Sequence, residues 1–317
     1  MCKIWKKTDY WDELSTSEIG RIFSQIGRID AVRISGGEPF LRNDLAEIMN
    51  IIDEKSRPSV IHVTTNGLMT EELIDALRKT VPIEKLHLKI SIDYAGEEHD
   101  RARGVPRAYE KAMNTVKEAA ELRKRLGFYI GVNQAVLDVD GIRAYSTLKD
   151  LLMKLQIGIH SYIAHDASVG LYDDDSGSSG PPKNSFKPFG EFPEGELYRF
   201  LKALMKDTSM VCDRKEAILR RYHLKGLMNR MRGIRRPNPR CVALNSHLRI
   251  LPNGDVPVCL YNPSVVGNLR KNPLEEVWFA NEVKQFRQWV RQCSGCWVFC
   301  EVPVSAIYTG DIWRGLF

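Results

Sequence analysis

The chain has 317 residues, with 43% hydrophobic and 27% charged positions and a formal net charge of +6. That balance is ordinary for a folded globular protein and excludes a disordered or collagen-like chain. No apolar run approaches the ~20 residues of a membrane-spanning helix. The opening Met-Cys-Lys-Ile-Trp-Lys-Lys has no apolar core or cleavage site, so no signal peptide is read and a cytoplasmic location is expected. The length suits one large domain with a smaller one behind it, or a barrel-like α/β body.

In chain order, residues 16–26 read as a helix capped by Ser15 or Thr16, with Ile19, Ile22, Phe23 and Ile26 as its buried stripe. Ala31-Val32-Arg33-Ile34 reads as a buried strand that ends in Ser35-Gly36-Gly37-Glu38-Pro39-Phe40. Two glycines at a strand end let a bound molecule approach the backbone, and Glu38 adds a carboxylate at the mouth. Alone, this stretch is a tight turn. A helix is expected over 43–54, a strand over 60–65 ending in Asn66-Gly67, and a helix over 70–78. A strand over 86–92 ends at Asp93. A long helix follows over 106–126, with Pro106 in its first turn. A strand over 128–136 carries Asn133 and Gln134; a helix over 140–156 and a strand over 158–164 follow.

Strands alternating with helices predict βα units and a parallel sheet. Such sheets bind ligands at the C-terminal strand ends. Four polar or glycine-rich signals fall there: Gly36-Gly37-Glu38, Thr65-Asn66, Ser91 with Asp93, and Asn133-Gln134. Together they predict a cofactor site. Residues 173–190, Ser/Gly/Pro-rich after three aspartates, read as a flexible loop. Helices are expected over 193–207 and 214–230. Arg220 to Arg240 holds eight basic residues and no acid, and reads as a solvated helix and linker, so no nucleic-acid partner is expected.

Of seven cysteines, five (Cys241, Cys259, Cys293, Cys296 and Cys300) fall in the tail, and none lies between Cys2 and Cys212. That distribution is unlike a disulfide scaffold and points to metal. Residues 247–250 and 256–259 flank an Asn-Gly-Asp turn and predict a hairpin that returns Cys259 beside Cys241. The Cys-x2-Cys-x3-Cys loop would add two or three thiolates. Zinc and an iron–sulfur cluster both suit such a set.

Taken together, these residues resemble a radical S-adenosylmethionine (SAM) enzyme with a SPASM or twitch-type auxiliary-cluster domain. The resemblance covers nearly the whole chain. It implies a partial (β/α)6 TIM-like barrel over residues 1–230, its first strand missing, and a small cysteine-rich domain over 231–317. Gly36-Gly37-Glu38-Pro39 matches the motif that contacts the amino group of SAM. Thr65-Asn66-Gly67 resembles the next strand-end motif. Ser91 and Asp93 match positions near the ribose or carboxylate, and Asn133 a polar residue that reaches the ribose. His99-Asp100-x-x-Arg103-Gly104 resembles a segment that often follows. In the tail, Gly254-x4-Cys259, Gly267-Asn268-Leu269 and Cys293-x2-Cys296-x3-Cys300 follow the SPASM pattern.

The resemblance implies a SAM-binding [4Fe–4S] cluster, one auxiliary [4Fe–4S] cluster, and SAM. The expected chemistry is reductive cleavage of SAM to a radical that abstracts hydrogen from a peptide or small metabolite, with a ferredoxin or flavodoxin as electron donor. Cys2 matches the last of three cluster cysteines; the first two would lie ahead of residue 1, so the chain as it stands is expected to be inactive. Cys241 and Cys259, with two of Cys293, Cys296 and Cys300, are the expected auxiliary ligands, and Cys212 lies outside the pattern. Leu260 stands where sulfatase-maturing relatives carry an aspartate, which argues against that activity. The alternative is a non-catalytic zinc or iron–sulfur scaffold, or an electron-transfer protein.

Overall fold

The computed structural model describes residues 12–164, 186, 188–193, 195–211 and 214–315. Its contacts divide it into two compact units, Ser15–Ile163 and the remainder. Cys2, Cys212 and most of the 173–190 segment lie outside the described residues.

In the first unit α1 (Thr16–Gln25) starts on a capping box: the Glu18 N–H donates to Ser15 Oγ, and the Ser15 N–H donates to the Glu18 carboxylate. Of its expected stripe only Ile22 is fully buried. Five parallel strands then run in chain order: β1 (Ala31–Ile34), β2 (Val60–Thr65), β3 (Leu86–Ser91), β4 (Tyr129–Val136) and β5 (Gly158–Ile163). The connections carry α2 (Leu45–Ser56), α3 (Thr70–Lys79), α4 (Glu97–Arg103), α5 (Ala108–Leu126) and α6 (Val139–Lys154). This is an arc of a TIM-like barrel, and parallel pairing sends every C-terminal strand end to one edge.

Two expectations fail here for local reasons. Pro106 is not in the helix: Arg107 takes φ 58° as the N-cap, and α5 begins at Ala108. β1 is not buried: among the described residues it pairs with β2 alone, and Ala31 and Arg33 are exposed.

Register fixes the two sheet faces. Ile61, Val63, Leu86, Leu88, Ile90, Ile130, Val132 and Ile159 are at most 2% exposed and share one face. A Cβ on Gly67 would meet both Ile90 Cγ2 and Ala112 of α5, so this face packs on helix. The other face is polar: His62, His87, Lys89, Ser91, Tyr129, Asn133 and His160.

The second unit holds α7 (Glu196–Val211), α8 (Arg214–Arg230), β6 (Asp255–Pro257), β7 (Val265–Asn268), α9 (Leu274–Phe279), α10 (Asn281–Gln292), α11 (Val302–Tyr308) and α12 (Asp311–Gly315). The expected hairpin between 247–250 and 256–259 does not form. β6 pairs antiparallel with β7 instead, Asp255 opposite Asn268 and Val256 opposite Gly267. The Asn-Gly-Asp stretch is a tight turn closed by Leu251 N–H to Asp255 O at 2.8 Å. Gly267 makes the pairing possible, since a Cβ there would sit 2.6 Å from Val277 of α9. The basic run is not uniformly solvated either, because Arg220 and Arg230 are only 4% and 8% exposed. Among the described residues no helix is long and apolar enough to cross a membrane.

Candidate cofactor and metal sites

The carboxylate of Glu38 organises one corner of the C-terminal strand edge. Its Oε1 accepts from Thr65 Oγ1 at 2.7 Å and from the Phe40 N–H at 3.2 Å; Oε2 accepts from the Asn66 N–H at 2.7 Å. Thr65 Oγ1 in turn accepts from the Gly67 N–H, and Asn66 Oδ1 from the Leu68 N–H. The ends of β1 and β2 are thereby tied together, with Pro39 buried behind them. Gly36 and Gly37 are exposed, and a Cβ on either would meet nothing within 4 Å. Neither has a positive φ. Packing and backbone conformation thus leave both glycines unexplained, and what they provide is bare backbone beside Glu38.

A second corner lies on β3 and β4. Ser91 and Asn133 are register partners on the polar face. Asn133 Oδ1 is buried and has no hydrogen-bond partner, a cost that a bound donor would remove. Asp93 is differently used. It is 3% exposed; its Oδ1 accepts from the Ala135 N–H at 2.9 Å and its Oδ2 pairs with Arg103 at 2.8 Å. Burial pushes its carboxyl up, against the pull of the guanidinium and the amide. Arg103 also donates to Ser91 O. Asp93 therefore shapes this edge from inside instead of presenting a free carboxylate.

Deeper on the same face, Lys89 Nζ lies 2.6 Å from His160 Nε2, and Tyr129 Oη 2.9 Å from the same nitrogen. His87 stacks on Tyr129 and meets His62 edge-on. Gly131 is required here, since its Cβ would fall 2.8 Å from His160 Nε2. Sequence reasoning missed this cluster. Its signal was present as polar residues at alternate positions of otherwise apolar strands.

In the second unit Cys241, Cys259, Cys293 and Cys296 line one small cavity with Tyr261, Trp289 and Glu301. No disulfide joins the tail cysteines, and all five are half-buried. Backbone amides point at the sulfurs: Ala243 N–H at Cys241, Tyr261 and Asn262 N–H at Cys259, and Gly295 N–H at Cys293 (3.4 Å). Such bonds stabilise sulfur carrying negative charge. Without a cation, burial drives the thiols the other way, Cys241 up to about 12 and Cys259 and Cys296 also upward. Nearby Glu301 is held by Arg249 (3.0 Å) and His247 (3.2 Å). Among the described residues no three His, Cys, Asp or Glu side chains converge on a single-ion position. The thiols border a space instead of a point. Cys300 does not line it, but its thiol is close enough to act electrostatically on Cys296 and Tyr261, which do.

The loop bearing Cys293, Cys296 and Cys300 is anchored by Trp297, which is 1% exposed. Its Nε1–H donates to His223 O at 3.0 Å, and the Arg230 guanidinium lies 3.5 Å from its ring centroid. Gly226 of α8 lets the indole in, since a Cβ there would sit 1.8 Å from it.

Known proteins resemble this chain. Residues 1–136 match the radical SAM superfamily, and residues 241–297 match SPASM, an iron–sulfur cluster-binding domain. Fe-coproporphyrin III synthase of Methanosarcina barkeri is 27% identical over 140 residues, 43% of this chain and 34% of that protein. GTP 3',8-cyclase of Aquifex aeolicus is 31% identical over 122 residues, 38% of this chain and 35% of that protein. The chain thus spans about a third of the length of these curated relatives. AdoMet-dependent heme synthase of M. barkeri is 25% identical over 276 residues, 86% of this chain and 75% of that protein. The fold is that of native anSMEcpe with bound AdoMet, with TM-score 0.51 and 18% identity over 88% of this chain and 77% of that one. The chain carries a radical SAM domain and, behind it, a SPASM iron–sulfur cluster-binding domain.

Proposed function

We propose that this chain is the SAM-binding and auxiliary-cluster body of a radical SAM enzyme that abstracts a hydrogen atom from its substrate. A radical SAM domain implies a [4Fe–4S] cluster and SAM, and a SPASM domain implies auxiliary iron–sulfur clusters. When bound, the first cluster and SAM supply one-electron cleavage of SAM to a 5′-deoxyadenosyl radical. Cys2 would be one ligand of that cluster and lies outside the described residues.

The observation that carries the reading is the strand edge. Gly36 and Gly37 offer bare backbone beside Glu38, and Asn133 Oδ1 is a buried acceptor awaiting a donor. In this reading Gly36, Gly37, Glu38 and Pro39 receive the amino group of SAM, Thr65 and Asn66 hold Glu38 in place, and Ser91 and Asn133 meet the ribose. Asp93 acts through Arg103 and β4. Cys241, Cys259, Cys293 and Cys296 hold the auxiliary cluster. Thiols around a space suit a cluster with its own sulfide better than one zinc ion, whose ligand sulfurs would sit about 3.8 Å apart given Zn–S near 2.3 Å. A peptide or a small metabolite remains the substrate class. The relatives' names add carboxylate-bearing tetrapyrroles as the metabolite to try first, and a ferredoxin or flavodoxin would be the reductant.

Two measurements test this without turnover. Isothermal titration with SAM should show binding to the anaerobically reconstituted chain, weakened about tenfold or more by Asn133→Ala, the loss expected for one hydrogen bond to a charged or buried group. Reconstitution should yield iron and acid-labile sulfide in equal amounts. Stoichiometric zinc without sulfide, or SAM affinity indifferent to Asn133, would sink the proposal and favour the scaffold reading.

A further inference from the structure

The sequence from Ala217 to Gly254 contains no Asp or Glu. Within it, every cation between Gly226 and Arg240 is an arginine. Arg230 is turned inward on Trp297, whereas Arg235, Arg236 and Arg240 are exposed. Interleaved with them, Met231 and Ile234 are 40% and 48% exposed. Arginines around exposed apolar side chains compose a protein interface more than a merely solvated surface, for which lysine serves as well.

This segment is a fixed strap. The Ile234 N–H donates to Asn229 O at 2.9 Å, Asn229 Nδ2 to Arg236 O at 2.7 Å, and Arg230 to Pro237 O at 3.1 Å. The strap also lies on the cysteine loop: a Cβ on Gly295, between Cys293 and Cys296, would be 3.5 Å from Asn238 Oδ1. Cys241 follows Arg240 directly. The positive surface is therefore held against the outer wall of the cysteine-lined cavity.

We infer that residues 231–240 form the docking surface for an acidic electron-carrier protein that exchanges electrons with the auxiliary cluster. The inference rests on the cluster reading above. The step is one electron: the reduced carrier is oxidised, the cluster is reduced, and no bond or proton moves. Charge complementarity selects the partner, because the strap carries only cations and many one-electron carriers present acidic surfaces around their cofactor. It also predicts steep salt dependence, since the contacts are exposed and screened within about 8 Å at physiological ionic strength.

The test compares the full chain with an Arg235→Glu/Arg236→Glu/Arg240→Glu variant, using flavodoxin as the probe. Fluorescence anisotropy with labelled flavodoxin needs no cluster. Binding should weaken about tenfold or more in the variant, and also between low salt and about 0.3 M salt. An Arg→Lys triple variant should keep most of the affinity. On reconstituted protein, stopped-flow reduction by flavodoxin hydroquinone should slow by a similar factor, while reduced methyl viologen reduces both forms equally. Equal flavodoxin affinity in wild type and variant overturns the inference. So does a variant that loses poly-uridine binding while wild type binds no flavodoxin, which would make this a nucleic-acid surface. If reconstitution yields no sulfide, the cluster reading fails by itself, and the anisotropy arm still decides whether the strap receives an acidic carrier.

Discussion

At the scale of single residues, the strand edge is held by polar groups that have little room to change. His99 is fully buried, its Nδ1 accepts the Asp93 N–H at 3.1 Å, and its Nε2 has no partner. Burial, assisted by the nearby Arg103 charge, lowers its pKa from 6.5 to about 4. The folded state therefore keeps a neutral imidazole where the unfolded chain would take up a proton. Its contribution is fully present above pH 6.5 and is lost as pH falls toward 4, up to about 3 kcal/mol at roughly 1.4 kcal/mol per unit. Urea unfolding at several pH values should show this loss, and His99→Leu should shrink the pH-dependent part. An unchanged slope would mean that His99 is not neutral in the fold. Glu38 has a structural duty beside its proposed ligand contact, since Glu38→Ala strips three hydrogen bonds at once. It should cost about 1–3 kcal/mol in the same assay. Asn133→Ala removes an acceptor that has no partner to lose, and should leave stability nearly unchanged while SAM affinity drops. That contrast separates positioning from contact.

At the scale of elements, periodicity made the helices and strands of the first unit readable, because β2 to β5 each bury one apolar face. It could not show that β1 has one neighbour among the described residues, which depends on pairing and not on composition. Nor could it choose the partner of β6: both 247–250 and 265–268 are short β-prone runs, and Gly267 against Val277 decides for the second. The Gly226–Trp297 contact was equally hidden, since the two residues lie 71 positions apart in sequence. It makes α8 the brace of the cysteine loop. Gly226→Ala puts a methyl inside the indole, and overpacking of this kind typically costs about 1–3 kcal/mol. A lowered thermal midpoint, with reduced iron retention during gel filtration, is the expected outcome. Normal iron retention would show that the loop needs no brace.

At the scale of the whole molecule, the candidate site was legible where its chemistry is written in residue type and not where it is written in backbone direction. Glycine pairs, strand-end polars and cysteine spacing could all be read. The amides of Ala243, Tyr261, Asn262 and Gly295 could not, because an N–H aimed at sulfur leaves no trace in sequence. The cavity also divides the cysteines more finely than spacing does: Cys293 and Cys296 line it, while Cys300 does not line it but lies near enough to act electrostatically on Cys296. Cys241→Ala and Cys259→Ala should therefore abolish most of the acid-labile sulfide after reconstitution, while Cys300→Ala retains most of it. Equal loss in all three would move Cys300 into the ligand set. The placement of Trp297 between Cys296 and Cys300 has an optical consequence. A buried indole emits in the near ultraviolet, where the broad absorption of an iron–sulfur cluster overlaps it, so energy should pass from ring to cluster without any label. Loading the tail would then dim Trp297 together with Trp289, which lines the cavity, and the difference from a Trp297→Phe chain would isolate the Trp297 share as a built-in gauge of cluster arrival.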